Sequence, residues 1–486
     1  MPAVAPLPLL PTFRDPAGSL QLTRHSARRT VHPPYDTHIL AFLATPLADT
    51  LVAEGKLIPT TVLSPSPSED PSNNPNANPV ANPVAELVLQ HPRIPFASYP
   101  WEWSPAMWCS AAELTLDLCT RLLDQGSILK DATPLNILFR GNRPIFVDIL
   151  SIAPVDLSQP IWFAYAQFVR TFLLPLLAHA QLGWPLEASL NRRDGYQPEE
   201  IYAPLPWQKR LRQPARSAVT LPILFAKQKS MATKPFTAYD PELTRHILLK
   251  TLNNLRAQIH KVTPTNRTSH WTSYTTTATH YSPHQHDQKR DFVTAALIHA
   301  SPQRVLDIGC NTGTYSLLAA NAGASVVSID TDLHSVDKLY TRLRSDPATQ
   351  QLDILPLHLD LAYPSPATGW KNCESASFLA RASGHFDTVL MLAVLHHLLI
   401  TSHIPLQSIA NLTADLTTHH LILEWVPPTD PMFQQLLHGR EAIFAHITEA
   451  AFRLAFSAHF ATLREETLEN GRILFLFQKL SPTSQE

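Results

Sequence analysis

The chain has 486 residues, 44% of them apolar, which is enough for two cores and points to two domains rather than one. A formal net charge of −2 gives no overall field that would recruit nucleic acid or an anionic membrane. The four cysteines, Cys109, Cys119, Cys310 and Cys373, form no CxxC pair; this argues against a cysteine zinc site and fits a reducing, cytoplasmic compartment.

The first residues, MPAVAPLPLLPTFRD, are broken by proline and lack a basic start, so they make a poor signal peptide. Residues 64–85, SPSPSEDPSNNPNANPVANPVA, carry almost no charge or large apolar groups, and the composition predicts a disordered insertion within an N-terminal α+β domain spanning 1–260. Beyond it, AAELTLDLCTRLL (111–123) has helical spacing, Gly126 stops it, and NILF and PIFVDIL read as short strands about Gly141-Asn142. Residues 161–181 predict a long buried helix bent or broken at Pro175. Its apolar run is too short and too proline-broken to span a bilayer.

A second domain, 261–486, alternates strand and helix. Ser282, Pro283 and Gln285 are placed as N-cap, first-turn proline and capping-box partner of a helix that runs to Pro302. Strand RVLDI follows, then SVVSID, DILPLHLD, FDTVLML and HLILEWV with helical stretches between them. Such alternation builds a parallel sheet with ligands at the carboxyl ends of its strands. Two last strands flank Asn470-Gly471, read as a two-residue hairpin turn, so an antiparallel pair ends the sheet.

The chain has only 13 glycines, yet Gly309, Gly313 and Gly323 fall just after the strand RVLDI. Asp307-x-Gly309-x-Asn311-x-Gly313, Asp330 ending the second strand and Asp360 ending the third resemble the class I S-adenosylmethionine-dependent methyltransferases (EC 2.1.1) over residues 281–480. The resemblance implies a Rossmann-like, mostly parallel seven-stranded sheet and S-adenosyl-L-methionine as cofactor. It places Asp307 on the methionyl ammonium side, Asp330 on both ribose hydroxyls, and Asp360 and Leu361 on adenine. Bare backbone at Gly309 and Gly313 would let the cofactor approach. Tyr281, with Trp271 and Tyr274, is a candidate lid. A nicotinamide enzyme would want G-x-G-x-x-G, whereas here the glycines stand four apart with Asn311 between them.

On the acceptor side, His396 and His397 follow the fourth strand and could orient an acceptor or take its proton. Glu424 ends the next strand and could bind a polar acceptor or, equally, stabilise its loop. His280, His284 and His286 lack the carboxylate or cysteine company of a metal site.

In the N-terminal domain, Asp131-x-x-x-x-Asn136 followed by Asp148 is similar to the catalytic and metal-binding loops of protein-kinase-like and aminoglycoside-phosphotransferase-like folds. That similarity implies Asp131 as base and Asn136 and Asp148 on magnesium. Against it, Leu129 stands at the usual histidine and no glycine-rich phosphate loop exists. The leading expectation is a methyltransferase whose N-terminal domain recognises a small-molecule, sugar or peptide acceptor. The alternatives are a bifunctional chain that also phosphorylates and a cofactor-binding scaffold without turnover.

Overall fold

The computed structural model describes residues 14–23, 25–63, 87–226, 239–262 and 282–481. The predicted insertion 64–85, Trp271, Tyr274, His280 and Tyr281 lie outside the described residues. Cα packing separates two units. One comprises Met1–Trp101, Pro105–Thr265 and Thr368–Ser375; the other comprises Glu102–Ser104, Asn266–Ala367 and Ala376–Glu486. The segment 368–375, assigned to the second domain from the sequence, therefore packs with the first unit. No helix among the described residues is long and apolar enough to cross a membrane.

In the first unit, β1 (Gly18–Leu22), β2 (Ser26–Val31), β3 (Thr61–Leu63) and β4 (Leu87–Pro92) form an antiparallel sheet in the order β1-β2-β4-β3. The expected helix is longer than its periodic stretch, Pro105–Leu123, and is almost wholly buried. The strand β5 (Ser127–Leu129) follows it and pairs with β8 (Ile152–Pro154), and between them β6 (Ile137–Arg140) and β7 (Arg143–Phe146) make the expected hairpin.

The helix expected to bend or break at Pro175 does neither in a simple way. Its turns at Tyr165–Phe168 and Leu174–Leu182 are joined by a π turn, Val169–Leu173. Leu174 N–H reaches back five residues to Val169 O, and the next donor in that register would be Pro175, which has none. Arg170 O is left outside the ladder and accepts Tyr196 N–H instead, at 3.1 Å. That approach needs Gly195: φ is +73°, and a Cβ there would stand 2.0 Å from Arg170 O.

In the second unit, β9 (Arg304–Ile308), β10 (Ser325–Asp330), β11 (Ile354–His358), β12 (Phe386–Met391) and β13 (Thr417–Trp425) run parallel, and β14 (Phe460–Thr467) and β15 (Ile473–Lys479) close the sheet antiparallel. The order is β11-β10-β9-β12-β13-β15-β14, as the mostly parallel seven-stranded expectation requires. The near-continuous apolar run of each central strand matches burial on both faces. The strand order reverses between β9 and β12, and in open sheets of this kind ligands lie at the carboxyl ends beside such a switch point. Helix Pro283–Ala300 starts with the predicted Ser282–Gln285 capping box.

The closing turn differs from the expected two-residue form. Gly471 N–H donates to Leu468 O at 2.9 Å, and Leu468 N–H to Arg472 O at 2.8 Å. Only Gly471 has positive φ (81°), so Glu469-Asn470-Gly471 is a three-residue loop in which glycine takes the left-handed bulge position. The extra residue sets the phase in which Arg472 points to the interior.

Gly126 and Gly195 share a left-handed conformation, but only Gly195 faces backbone. Gly126→Ala should cost about 1 kcal/mol of stability, the backbone term alone, and Gly195→Ala at least about 3 kcal/mol, because a carbonyl must also move. Urea denaturation of the two variants checks the difference.

Candidate functional site

The carboxyl ends of β9, β10, β11 and β12 bring most of the sequence-predicted residues to one edge of the sheet. Asp330, the last residue of β10, is the hub. Its Oδ2 accepts Asn311 N–H at 2.7 Å and its Oδ1 accepts Asp332 N–H at 2.8 Å. One carboxylate thus ties the loop after β9 to the loop after β10. Asn311 takes φ of 48° and its Oδ1 accepts Thr312 N–H at 2.7 Å, while Gly309 N–H and Cys310 N–H both reach Ile329 O.

The two glycines have a reason that the sequence reading did not supply. Both are left-handed, and a Cβ on Gly309 would stand 2.3 Å from Val394 Cγ2, on the loop after β12; one on Gly313 would stand 2.4 Å from Leu339 Cδ1. Their bareness lets the β9 loop close against its own unit. Gly323 also has positive φ, but open space surrounds it.

Asp307 lies within β9, 2% exposed, and accepts Ser316 O–H at 2.6 Å, with Ser328 O–H donating on to Ser316. Burial, reinforced by the Asp330 charge, pushes its carboxyl up to about 6. Asp330 is also raised, chiefly by burial. Asp360 lies two residues past the end of β11 rather than at its last position; its Oδ1 accepts Ala362 N–H at 2.8 Å, beside buried Leu361.

His396 and His397 lie on the short helix Leu395–Ile400, with ring centroids 4.3 Å apart. His396 is 4% exposed, stacks near Phe433, and its Nδ1 has no hydrogen-bond partner among the described residues. Burial holds both imidazoles below their ordinary range, with His397 and Arg472 adding to the effect on His396 and Arg472 on His397. Both are neutral at pH 7.

Glu424, open from the sequence between an acceptor contact and a structural role, is fully buried. Lys289 Nζ stands 2.6 Å from its Oε2, and Arg472 Nη1 3.3 Å from its Oε1. Arg472 Nε also bonds Asp430 Oδ2 at 2.8 Å, and Asp430 caps the helix Pro431–Leu437 through Met432 N–H. Lys289 further sits 5.1 Å over the Tyr315 ring. Glu424 is a positioning residue that joins helix, strand and hairpin. Lys289 and Arg472 were missed from the sequence. The signal for Lys289 was its place four residues from Gln285 and Val293 on the buried face of one helix.

In the first unit, Asp131, Asn136 and Asp148 come together only in part. Arg29 Nη1 holds Asp148 Oδ1 at 2.8 Å; Ser151 O–H donates to Asp148 Oδ2 at 2.5 Å and accepts Asn136 Nδ2 at 3.1 Å. Asp131 is half-buried, and burial raises its carboxyl. Both Asp148 oxygens are thus engaged by protein groups, one by a guanidinium and one by a hydroxyl. No cluster of three His, Cys, Asp or Glu suited to a metal exists among the described residues. His284 and His286, the described members of the histidine cluster, belong to none.

Residues 280–466 match a family described as a methyltransferase domain. The chain is 29% identical to nodulation protein NoeA of Rhizobium meliloti (strain 1021) over 493 residues, covering 98% of each. Among solved structures, magnesium protoporphyrin IX methyltransferase (ChlM) from Synechocystis PCC 6803 with bound SAH is 24% identical, covering 40% of this chain and 83% of that one, with a TM-score of 0.29. N-methyltransferase NodS from Bradyrhizobium japonicum WM9 with S-adenosyl-L-homocysteine is 12% identical, covering 41% and 89%, with a TM-score of 0.30.

Two outcomes follow from this geometry. Glu424→Gln removes the buried carboxylate that Lys289 faces and one of the two on Arg472, and should destabilise the second unit by about 3–5 kcal/mol, read as an earlier denaturation midpoint. Asp307 has a folded pKa of about 6 against an ordinary 3.8, so the folded state holds the extra proton between these values. Its stabilising contribution is complete below about pH 4 and lost as pH rises through about 6, and Asp307→Asn should flatten that slope in a pH series of urea melts.

Proposed function

We propose that residues 280–466, which match a methyltransferase domain family, use S-adenosylmethionine to methylate a small-molecule, sugar or peptide acceptor recognised by the N-terminal residues. The observation that carries the reading is the Asp330 carboxylate, which two loop amides fix at the switch point of the sheet. The residues fit the cofactor on this chain's own evidence. Asp307 and Asp330 are buried carboxylates whose proton affinity burial raises, the Asp330 charge adding to the effect on Asp307, and a ligand bearing an ammonium, a sulfonium and hydroxyl donors would meet that negative charge. When bound, S-adenosylmethionine supplies a methyl group activated by positive sulfur.

The chain's own residues divide the work. Asp330 keeps a second lone pair on each oxygen for the ribose hydroxyls. Asp307 faces the ammonium side, and Asp360 and Leu361 take adenine, the first by accepting its amino group and the second by packing. Asn311, Gly309 and Gly313 hold the loop that frames these contacts. His396, neutral and with Nδ1 unpartnered, accepts the acceptor's proton at that atom, and His397 packs beside it. Glu424 acts through Lys289 and Arg472 by holding the hairpin in place.

Similarity to a nodulation protein runs along 98% of both chains and so takes in both units. Phosphotransfer by Asp131, Asn136 and Asp148 is the weaker reading, because Arg29 stands where a cation on Asp148 would be needed.

Asp330→Ala should weaken S-adenosylhomocysteine binding by about 10–100-fold in calorimetry, the worth of charge-assisted hydrogen bonds to two hydroxyls. His396→Ala should leave that affinity unchanged and lower turnover by about 100-fold or more. The acceptor is found by incubating the chain with radiolabelled methyl donor and fractionated cell extract. Label in one fraction supports the reading, whereas cofactor binding without label in any fraction favours a scaffold.

A further inference from the structure

A pocket in the first unit shares no residue with the methyl-transfer site. It encloses about 650 Å³ with its mouth included, within the range of small-molecule sites. Apolar side chains form much of its wall, among them Trp101, Trp108, Leu135 and Leu190. The rings are held in place. Tyr99 stacks on Trp101 at 5.0 Å, and Trp108 donates Nε1–H to Pro100 O at 2.9 Å while its ring meets the edge of Phe172. Such a wall suits a flat, largely apolar body.

The charged residues of the wall are Arg192, Arg193 and Glu374. Both arginines belong to the loop 192–196, which is fixed by Gly195 N–H on Arg192 O and by Tyr196 N–H on Arg170 O, the approach that requires Gly195. Glu374 comes from the segment Thr368–Ser375, which packs with this unit. Its Oε2 accepts from Arg193 Nη1 and its Oε1 from Arg14 Nε, each at 2.8 Å, so two guanidiniums share one carboxylate. Arg192 pairs with Glu200 and lies over the Tyr196 ring. Three guanidiniums thus meet two carboxylates, which leaves one positive charge in surplus. Asp194, the remaining acid of the loop, is exposed and lies outside the wall. Arg192 and Arg193 each spend one N–H on a carboxylate, and among the described residues no other acceptor meets either guanidinium. Their other donors remain for a ligand.

We infer that this pocket binds a monoanionic carboxylate carried on a flat, apolar ring. The carboxylate takes the unspent donors of Arg192 and Arg193, and the ring lies on the aromatic wall. One further negative charge brings the three guanidiniums into balance. A phosphate, at about −1.5 to −2 near neutral pH, overshoots that balance and turns its excess toward Glu374, whereas a neutral ring leaves the surplus uncompensated. Glu374 already displays the chemistry, a carboxylate spread across two guanidiniums. The assignment stands on the first unit alone and holds whether or not the second transfers methyl groups.

The test is calorimetric titration of the full chain with benzoate, naphthoate and cyclohexanecarboxylate. Benzamide, acetate and phenyl phosphate serve as the neutral, ringless and dianionic controls. The expected result is saturable binding of at least one ring carboxylate, tighter than any control by about tenfold or more. Arg192→Gln and Arg193→Gln, both at exposed positions, should each weaken that binding by about tenfold while leaving the denaturation midpoint in place. The inference is overturned if no ring carboxylate binds, if benzamide, acetate or phenyl phosphate binds as tightly, or if both glutamine variants bind like the parent chain.

Discussion

The second unit is organised around one carboxylate that does two jobs at once. Asp330 accepts Asn311 N–H and Asp332 N–H, so the loops leaving β9 and β10 are fixed to the same two oxygens. A carboxylate so held cannot swing, and its remaining lone pairs face a predetermined direction. The constraint has a cost, because burial raises the proton affinity of Asp330 and of Asp307, and the Asp330 charge adds to the effect on Asp307.

Beneath this edge, the opposite charge is handled differently. Lys289, Glu424, Arg472 and Asp430 form a buried chain of alternating sign that links the first helix of the unit, the end of β13 and the closing hairpin. Such a network is weak evidence of stability, since desolvation offsets much of the attraction. Its effect is on geometry. It fixes the strand end next to the histidine-bearing helix, and Arg472 helps hold both imidazoles neutral.

How far the sequence revealed these features depended on the range of each interaction. The Ser282–Gln285 capping box could be read because all its partners lie within four residues. The parallel sheet was equally open to reading, because strand and helix periods alternate along the chain. The turn at Asn470-Gly471 was placed correctly but assigned one residue too short, since the choice between two and three residues depends on where Arg472 must point. Gly309 and Gly313 were singled out for the right conformation, but what crowds them is Val394 and Leu339. The sequence left Glu424 open between an acceptor contact and a structural role, because Lys289 and Arg472, which surround it, lie 135 and 48 positions away. The Arg29 guanidinium on Asp148 was hidden in the same way, and so was the orphaned Arg170 carbonyl that calls for Gly195. Local capping and periodicity are written in neighbouring residues, whereas burial of one charge against another is decided only once the chain has folded.

The most direct measurement is a crystal structure of the full chain soaked with S-adenosylhomocysteine. The account predicts both ribose hydroxyls within hydrogen-bond distance of the Asp330 oxygens, with adenine against Leu361. Nucleotide density anywhere other than the carboxyl ends of β9 and β10, or ribose hydroxyls that leave Asp330 untouched, would contradict it.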